Sequence, residues 1–333
     1  MSSPALPLVW FERPVLPELV DRVEAMCAPL GPGTDTDRFA GIETAAAAVA
    51  GAAPYDGTVM DRAPGLRVIA RTGIGYDAVD VGAATARGIA VCNTPDGPTV
   101  STAEHAVTLM LMVAKKVKAA EASLTTATSG GYYARHDGVE LAGKVLGLVG
   151  CGRIARHVGA IAVAIGMHVM TFDPYCDPTA IPSGFVHVAT LDELLGQADV
   201  VSVHVPLSDG TRGMFDEGRF AAMKRGAVFV NTARGGLIDQ EALLAALEAG
   251  HLVGAGLDVT TPEPLPPDHP LLHRDDVVVT PHIASATADG KVRILEAAFE
   301  QAMTVLRGER PAHLVNPEVW DRVAGATAAG VDR

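Results

Sequence analysis

The chain has 333 residues, 48% of them hydrophobic, which is more than one compact domain needs, so two domains are the natural reading. A formal net charge of −13 repels phosphodiester backbones, and the densest basic stretch, "AKKVKAA" (114–120), reads as a solvated helix face, so no nucleic-acid partner is expected. No apolar run reaches the ~18 residues of a membrane helix, "MSSPALPLVWFERP" lacks the basic start of a signal peptide, and Cys27, Cys92, Cys151 and Cys176 form no CxxC pair, so a cytoplasmic protein with reduced thiols, no membrane partner and no metal is expected.

In chain order, the first hundred residues offer strands at "LPLVWF" (6–11), "AAAAVAG" (45–51), "LRVIART" (66–72) and "IAVCN" (89–93), with helical segments between them. That alternation reads as a flavodoxin-like α/β unit. A long helix pattern, "STAEHAVTLMLMVAKKVKAAEASL" (101–124), follows. From Lys144 the chain alternates helical segments with six Val-rich runs: "VLGLVG" (145–150), "HVMTFD" (168–173), "VVSVHV" (200–205), "AVFVNTA" (227–233), "LVGAGLDV" (252–259) and "DVVVTP" (276–281). Their near-continuous apolar character suits parallel strands covered on both faces. Between them, "DQEALLAALEAG" (239–250) is a helix with Asp239 placed to cap its start and Gly250 its end. The last helical stretch, "DGKVRILEAAFEQAMTVLRGE" (289–309), has no strand after it to support and is expected to pack back onto the first unit.

The fold class is therefore α/β, two doubly wound parallel-sheet domains. A Rossmann dinucleotide-binding domain (102–284) is inserted into a flavodoxin-like substrate domain (1–101 and 285–333). The two crossings would form a hinge, and the cleft between the domains is the expected active site.

Within "KVLGLVGCGRIARHVGA" (144–160), Gly150, Gly152 and Ala155 fit G-x-G-x-x-G/A, with a strand before and a helix after. Asp173 ends the second strand of this domain, 23 residues after Gly150 (173 − 150). A carboxylate there accepts from ribose hydroxyls and repels a 2′-phosphate, which favours NAD over NADP. Open α/β sheets bind ligands beyond the carboxyl ends of their strands, and three polar residues fall there: Arg234, Glu263 and His282. A guanidinium fork grips a carboxylate and a neighbouring carbonyl together. Histidine moves protons near neutral pH, and a carboxylate partner would hold the ring and favour its protonated form. Singly, each has a bland reading as a surface histidine, a phosphate ligand or a loop acid; together at one sheet edge they point to catalysis. "DHPLLHRDD" (268–276) groups His269 and His273 with aspartates, but Pro270 breaks the helix that would align them on a metal.

These motifs, with "HVPLSDGTRGMF", "MKRGAVFVNTARGGLID", "GAGLDVTTPEPLPPDHPLL" and "VVVTPHIASAT", make the sequence resemble the D-isomer-specific 2-hydroxyacid dehydrogenases over nearly its whole length. The family includes D-3-phosphoglycerate dehydrogenase, hydroxypyruvate and glyoxylate reductases and formate dehydrogenase. The resemblance implies a catalytic arginine, glutamate and histidine at Arg234, Glu263 and His282. It implies cofactor contacts at Thr102, Arg153, Ile154, Asp173, His204, Val205, Pro206, Thr211, Thr232 and Asp258, the last holding the nicotinamide carboxamide. In "RTGIGYDAVD" (71–80), the amides around Ile74 and Gly75 would receive the substrate carboxylate. A homodimer through the nucleotide domains is also implied, using the apolar face of "HAVTLMLMVA" (105–114) and an arm, "SGGYYARHDGVELAG" (129–143).

The sequence departs from the family in four places. Ala155 replaces the third glycine, Ala78 stands where asparagine is usual, and "VAGAAP" around Ala50 lacks the arginine of phosphoglycerate-type members. The length also leaves no room for the regulatory C-terminal domain that some members append. The expected activity is hydride transfer between NAD and a small 2-oxo or D-2-hydroxy acid of the hydroxypyruvate or glyoxylate type. A phosphorus-bearing substrate is the alternative, with Arg71 and Arg13 as candidate cations, and an NAD-sensing corepressor-like protein is the remote one.

Overall fold

The computed structural model describes residues 5–124 and 131–330. The chain divides into two compact units, Met1–Pro98 with Ala288–Arg333, and Thr99–Thr287. The expected boundaries were 101/102 and 284/285. The difference has a local cause: a single helix begins at Thr99, and Ser101 Oγ lies 2.7 Å from Thr287 Oγ1, so both crossings are tied into the second unit up to those residues.

The first unit runs β1 (Leu8–Phe11), α1 (Val20–Met26), β2 (Ala28–Leu30), β3 (Ala47–Ala50), α2 (Gly57–Arg62), β4 (Val68–Arg71), α3 (Val81–Arg87) and β5 (Ala90–Cys92). The strands pair in parallel in the order β2-β1-β3-β4-β5, the flavodoxin-like order. Runs such as "AAVA" in β3 and "AVC" in β5 are buried throughout, as strands covered on both faces must be. Asp56 and Asp80 accept from Val59 N and Ala83 N and so start α2 and α3.

The second unit runs α4 (Thr99–Ala114), α5 (Val117–Ser123), α6 (Tyr132–Arg135), β6 (Val145–Val149), α7 (Arg153–Ala164), β7 (His168–Phe172), β8 (Phe185–His187), α8 (Leu191–Gln197), β9 (Val200–Val203), α9 (Glu217–Ala222), β10 (Ala227–Asn231), α10 (Gln240–Glu248), β11 (Leu252–Leu257) and β12 (Val277–Val279). Its parallel strand order is β12-β11-β10-β9-β6-β7-β8, in which the winding reverses between β6 and β9. Alternate residues of β6 feed opposite cores: Leu146 and Leu148 pack with α4 and α7 residues, whereas Val149 joins the α8–α10 side. Asp239 caps α10 and Gly250 follows it at φ +58°, as the sequence predicts.

The chain then returns to the first unit as α11 (Ala288–Leu306) and α12 (Trp320–Gly330). Ala298, Phe299, Ala302 and Met303 of α11 are buried with Val49, Val68 and Cys92 of β3, β4 and β5, so this helix does pack back onto the first sheet.

Two expectations are corrected. The helix predicted over 101–124 breaks at Lys116, whose φ is +51°. Val139 N donates to Ala114 O at 2.7 Å, ending α4, and Lys118 Nζ donates to the carbonyls of Leu272, Arg274 and Val277. Lys118 is thus a structural cation rather than part of a solvated basic face. The apolar face of 105–114 is likewise consumed within the unit: Ala106, Val107, Leu109, Met110 and Val113 are buried against α7, β10 and β11 residues. Leu111 and Met112 of the same helix stay half-buried. Of the expected arm, residues 129 and 130 lie outside the described residues, and Tyr133 is 98% exposed.

Candidate active site

Gly150 follows β6 at the point where the winding reverses, with φ +101°. A Cβ there would sit 2.8 Å from His204 O at the end of β9, so only glycine lets these strand ends approach. Gly152 begins α7 without any side-chain cap, and nothing lies within 4 Å of where its Cβ would be. A twelve-residue helix therefore points its amide end, with Arg153 and Ile154 first, toward open space. Asp173, just past β7, accepts from Cys151 N through Oδ2 and from Tyr175 N through Oδ1, both at 2.9 Å. The carboxylate is thereby braced against the glycine turn. Thr232, just past β10, has a buried hydroxyl with no hydrogen-bond partner among the described residues. A buried polar atom left unsatisfied costs about 1–3 kcal/mol. An uncapped helix start, a braced carboxylate and an orphaned hydroxyl along one sheet edge fit a dinucleotide.

The other expected cofactor residues differ in availability. His204 Nε2 lies 2.8 Å from Ser202 Oγ, and desolvation pushes its pKa down to about 4, so the ring is neutral. It leads into Val205 and Pro206. The Thr211 hydroxyl donates to Pro206 O and accepts from Ser208 N, which closes that loop on itself. Thr102 is buried in α4. The Asp258 carboxylate is fully buried and accepts from Thr280 Oγ1, Ile283 N and Ala284 N. Thr211 and Asp258 are therefore engaged inside the protein.

Arg234, Glu263 and His282 follow β10, β11 and β12. Asn231, the last residue of β10, turns the chain there: its Oδ1 accepts from Ala233 N and its Nδ2 donates to Arg234 O. Gly235 then packs so tightly that a Cβ would fall 2.1 Å from the Thr260 carbonyl. The loops after β10 and β11 thus touch backbone to backbone. Glu263 Oε1 accepts from Thr260 N at 3.1 Å, and Oε2 meets His282 Nδ1 at 2.9 Å. Burial pushes the Glu263 carboxyl up, but the His282 hydrogen bond and charge, the Thr260 amide and Arg234 outweigh it and hold the group below its usual range. An ionised carboxylate only accepts, so Nδ1 carries a proton and Nε2 is the atom left to exchange one. At 45% and 38% side-chain exposure the pair contributes little to stability and remains accessible. His282 itself sits at φ +53°.

In the first unit, the loop after β4 carries Ile74 and Gly75. It is held by two residues absent from the sequence reading: Asn93 Nδ2 donates to Ile74 O, and Thr94 Oγ1 accepts from Gly73 N, both at 2.7 Å. Their position just past β5 was the available signal. The Ile74 and Gly75 amides find no acceptor among the described residues. Arg71 donates to Thr72 O and Thr72 Oγ1, and Arg13 is exposed just past β1. Beside it, Glu12 accepts from Gly51 N, Ala53 N and the Tyr55 hydroxyl, so a carboxylate anchors the loop after β3. His269 and His273 bond to Leu271 N and Pro267 O, and no cluster able to hold a metal occurs among the described residues.

Strand order and glycine turn together define a dinucleotide-binding protein of the doubly wound class. Residues 107–284 match the model of the "D-isomer specific 2-hydroxyacid dehydrogenase, NAD binding domain" family. The chain is 41% identical over 270 residues to the glyoxylate reductase of Korarchaeum cryptofilum, covering 80% of this chain and 81% of that one. It is 39% identical over 316 residues to the D-3-phosphoglycerate dehydrogenase of Mycobacterium tuberculosis, covering 94% of this chain and 59% of that one. It spans 49–59% of the length of that enzyme and of its Archaeoglobus fulgidus counterpart. A solved structure of a Thermus thermophilus protein superposes with a TM-score of 0.84 at 40% identity, covering 92% and 99% of the two chains. The chain belongs to the D-isomer specific 2-hydroxyacid dehydrogenase family.

Proposed function

We propose that the protein is an NAD-dependent oxidoreductase that interconverts a small 2-oxo acid and its D-2-hydroxy acid. The observation that carries this reading is the Glu263–His282 pair, accessible and proton-competent at the carboxyl edge of the dinucleotide-binding sheet. NAD supplies the hydride carrier, held at the α7 start, Asp173 and Thr232. Arg234 binds the substrate carboxylate and polarises the carbonyl. His282 Nε2 gives a proton to the carbonyl oxygen during reduction and takes it back during oxidation. Glu263 holds the ring by accepting from Nδ1.

The substrate we favour is unphosphorylated, of the hydroxypyruvate or glyoxylate type. Glu12 places a carboxylate at the loop after β3, and a second anionic group there would meet repulsion instead of a cation. A phosphorus-bearing substrate is the second reading, supported by the similarity to phosphoglycerate dehydrogenases and by Arg71 and Arg13. The deciding experiment compares hydroxypyruvate, glyoxylate, 3-phosphoglycerate and a small phosphonate, each with NAD(H) and NADP(H). Turnover of hydroxypyruvate or glyoxylate with NADH, at least about tenfold better than with NADPH, is expected from Asp173. Preference for a phosphorus compound, lost on Arg13→Ala or Arg71→Ala, would overturn the substrate, and equal use of both cofactors would overturn the role of Asp173.

We also propose a homodimer formed through the second unit. With most of the α4 face buried within the unit, the support is the exposed stretch 133–138, which displays Tyr133. Light scattering at micromolar concentration is expected to give twice the chain mass, and a monomer contradicts the assignment.

A further inference from the structure

His282 holds a left-handed backbone conformation that a non-glycine residue keeps only when its surroundings enforce it. The enforcing group is Asp258. Its main-chain oxygen accepts from His282 N at 2.8 Å, and its carboxylate accepts from Ile283 N and Ala284 N, both at 2.8 Å. Three successive amides of the histidine loop thus converge on one buried residue. A second pair of donors holds the carboxylate itself. The Thr280 hydroxyl donates to Asp258 Oδ1 at 2.6 Å, and His105 Nε2, reaching across from α4, lies 2.9 Å from Thr280 Oγ1 and 3.4 Å from Asp258 Oδ1. Burial raises the Asp258 carboxyl, but the hydrogen bonds from His105, Thr280, Ile283 and Ala284 bring it below its usual value, so it remains an ionised acceptor.

The donor inventory settles the direction of the chain. A hydroxyl has one proton, and Thr280 gives it to the carboxylate, so its contact with His105 requires a proton on His105 Nε2. At 18% side-chain exposure the imidazole is largely enclosed, with water poorly placed to substitute for it.

We infer that His105 is a positioning residue for His282: through Nε2–H, Thr280 and Asp258 it locks the loop that aims the histidine. The inference rests on the proposed role of His282 in proton transfer. His105 touches no reacting atom. The α7 start, Asp173 and Thr232, which would carry the rest of the dinucleotide, lie on other elements.

The first test is spectroscopic and uses the wild-type protein. Proton–nitrogen correlation of 15N-histidine-labelled protein, with the His105 signal assigned by its loss in His105→Gln, is expected to show a proton on Nε2. A ring protonated on Nδ1 alone overturns the inference whether or not any variant folds. The second test is kinetic. His105→Leu is expected to lower kcat about 30-fold while leaving the NADH Kd within about twofold, the size of loss that a small misplacement of a reacting group produces. His105→Gln presents an amide N–H at the same reach and is expected to restore kcat to within about threefold of wild type. A leucine variant with unchanged kcat, or a glutamine variant no better than leucine, overturns the positioning role. Should the wild type turn over no 2-oxo acid, the proposed activity fails while the tautomer measurement still decides the hydrogen-bond chain.

Discussion

Arg234→Ala is expected to lower kcat/KM by about three orders of magnitude while NADH affinity stays within about threefold. The guanidinium is assigned to the substrate carboxylate and to the oxygen on which negative charge develops, so its contribution grows as the transition state forms. The backbone around it is expected to survive truncation. Asn231 still holds Arg234 O, and the Gly235–Thr260 stack does not involve the side chain. Loss of rate without loss of cofactor is therefore the signature to look for, measured by steady-state kinetics beside NADH fluorescence titration. An alanine variant keeping more than about a tenth of wild-type kcat/KM would remove Arg234 from the chemistry.

Glu263→Gln is expected to lower the reductive kcat at neutral pH about a hundredfold. The sign follows from the geometry. The carboxylate 2.9 Å from Nδ1 can only accept, which fixes the ring orientation and leaves Nε2 to exchange a proton, whereas an amide can present N–H there and no longer enforces that arrangement. Stability responds separately. The Glu263 carboxyl is held below its usual range in the folded protein, so its contribution is present above the unfolded value of about 4.3 and is lost as pH falls through the folded one. With the carboxylate 38% exposed that contribution is small. Melting curves of the two proteins at neutral pH are therefore expected to differ far less than their rates. An unchanged reductive kcat would take Glu263 out of the mechanism.

Much of the fold could be read before any coordinates because its central strands are buried on both faces and announce themselves as apolar runs. The two strands missed are β2 and β8, one edge of each sheet, three residues each. An edge strand pairs on one side only and needs no continuous apolar character, and β2 even contains Pro29. The break at Lys116 left no local trace either, being imposed by Val139 and by carbonyls more than 150 residues away. The site divides the same way. Arg234, Glu263 and His282 were legible because strand ends are where open sheets place ligands. His105 and Thr280 were not, because a hydrogen bond across 175 residues has no signature in spacing.

The backbone stacking of Gly235 on Thr260 also limits how this scaffold can be re-engineered. There is no room between the two loops for even a methyl group, so a saturation library at position 235 is expected to return glycine alone among active clones. Loop grafting faces the same limit. Exchanging the segment after β10 for one from another dehydrogenase carries Arg234 to a workable place only if the partner segment after β11 is transplanted with it. The two loops form one module and are best exchanged together.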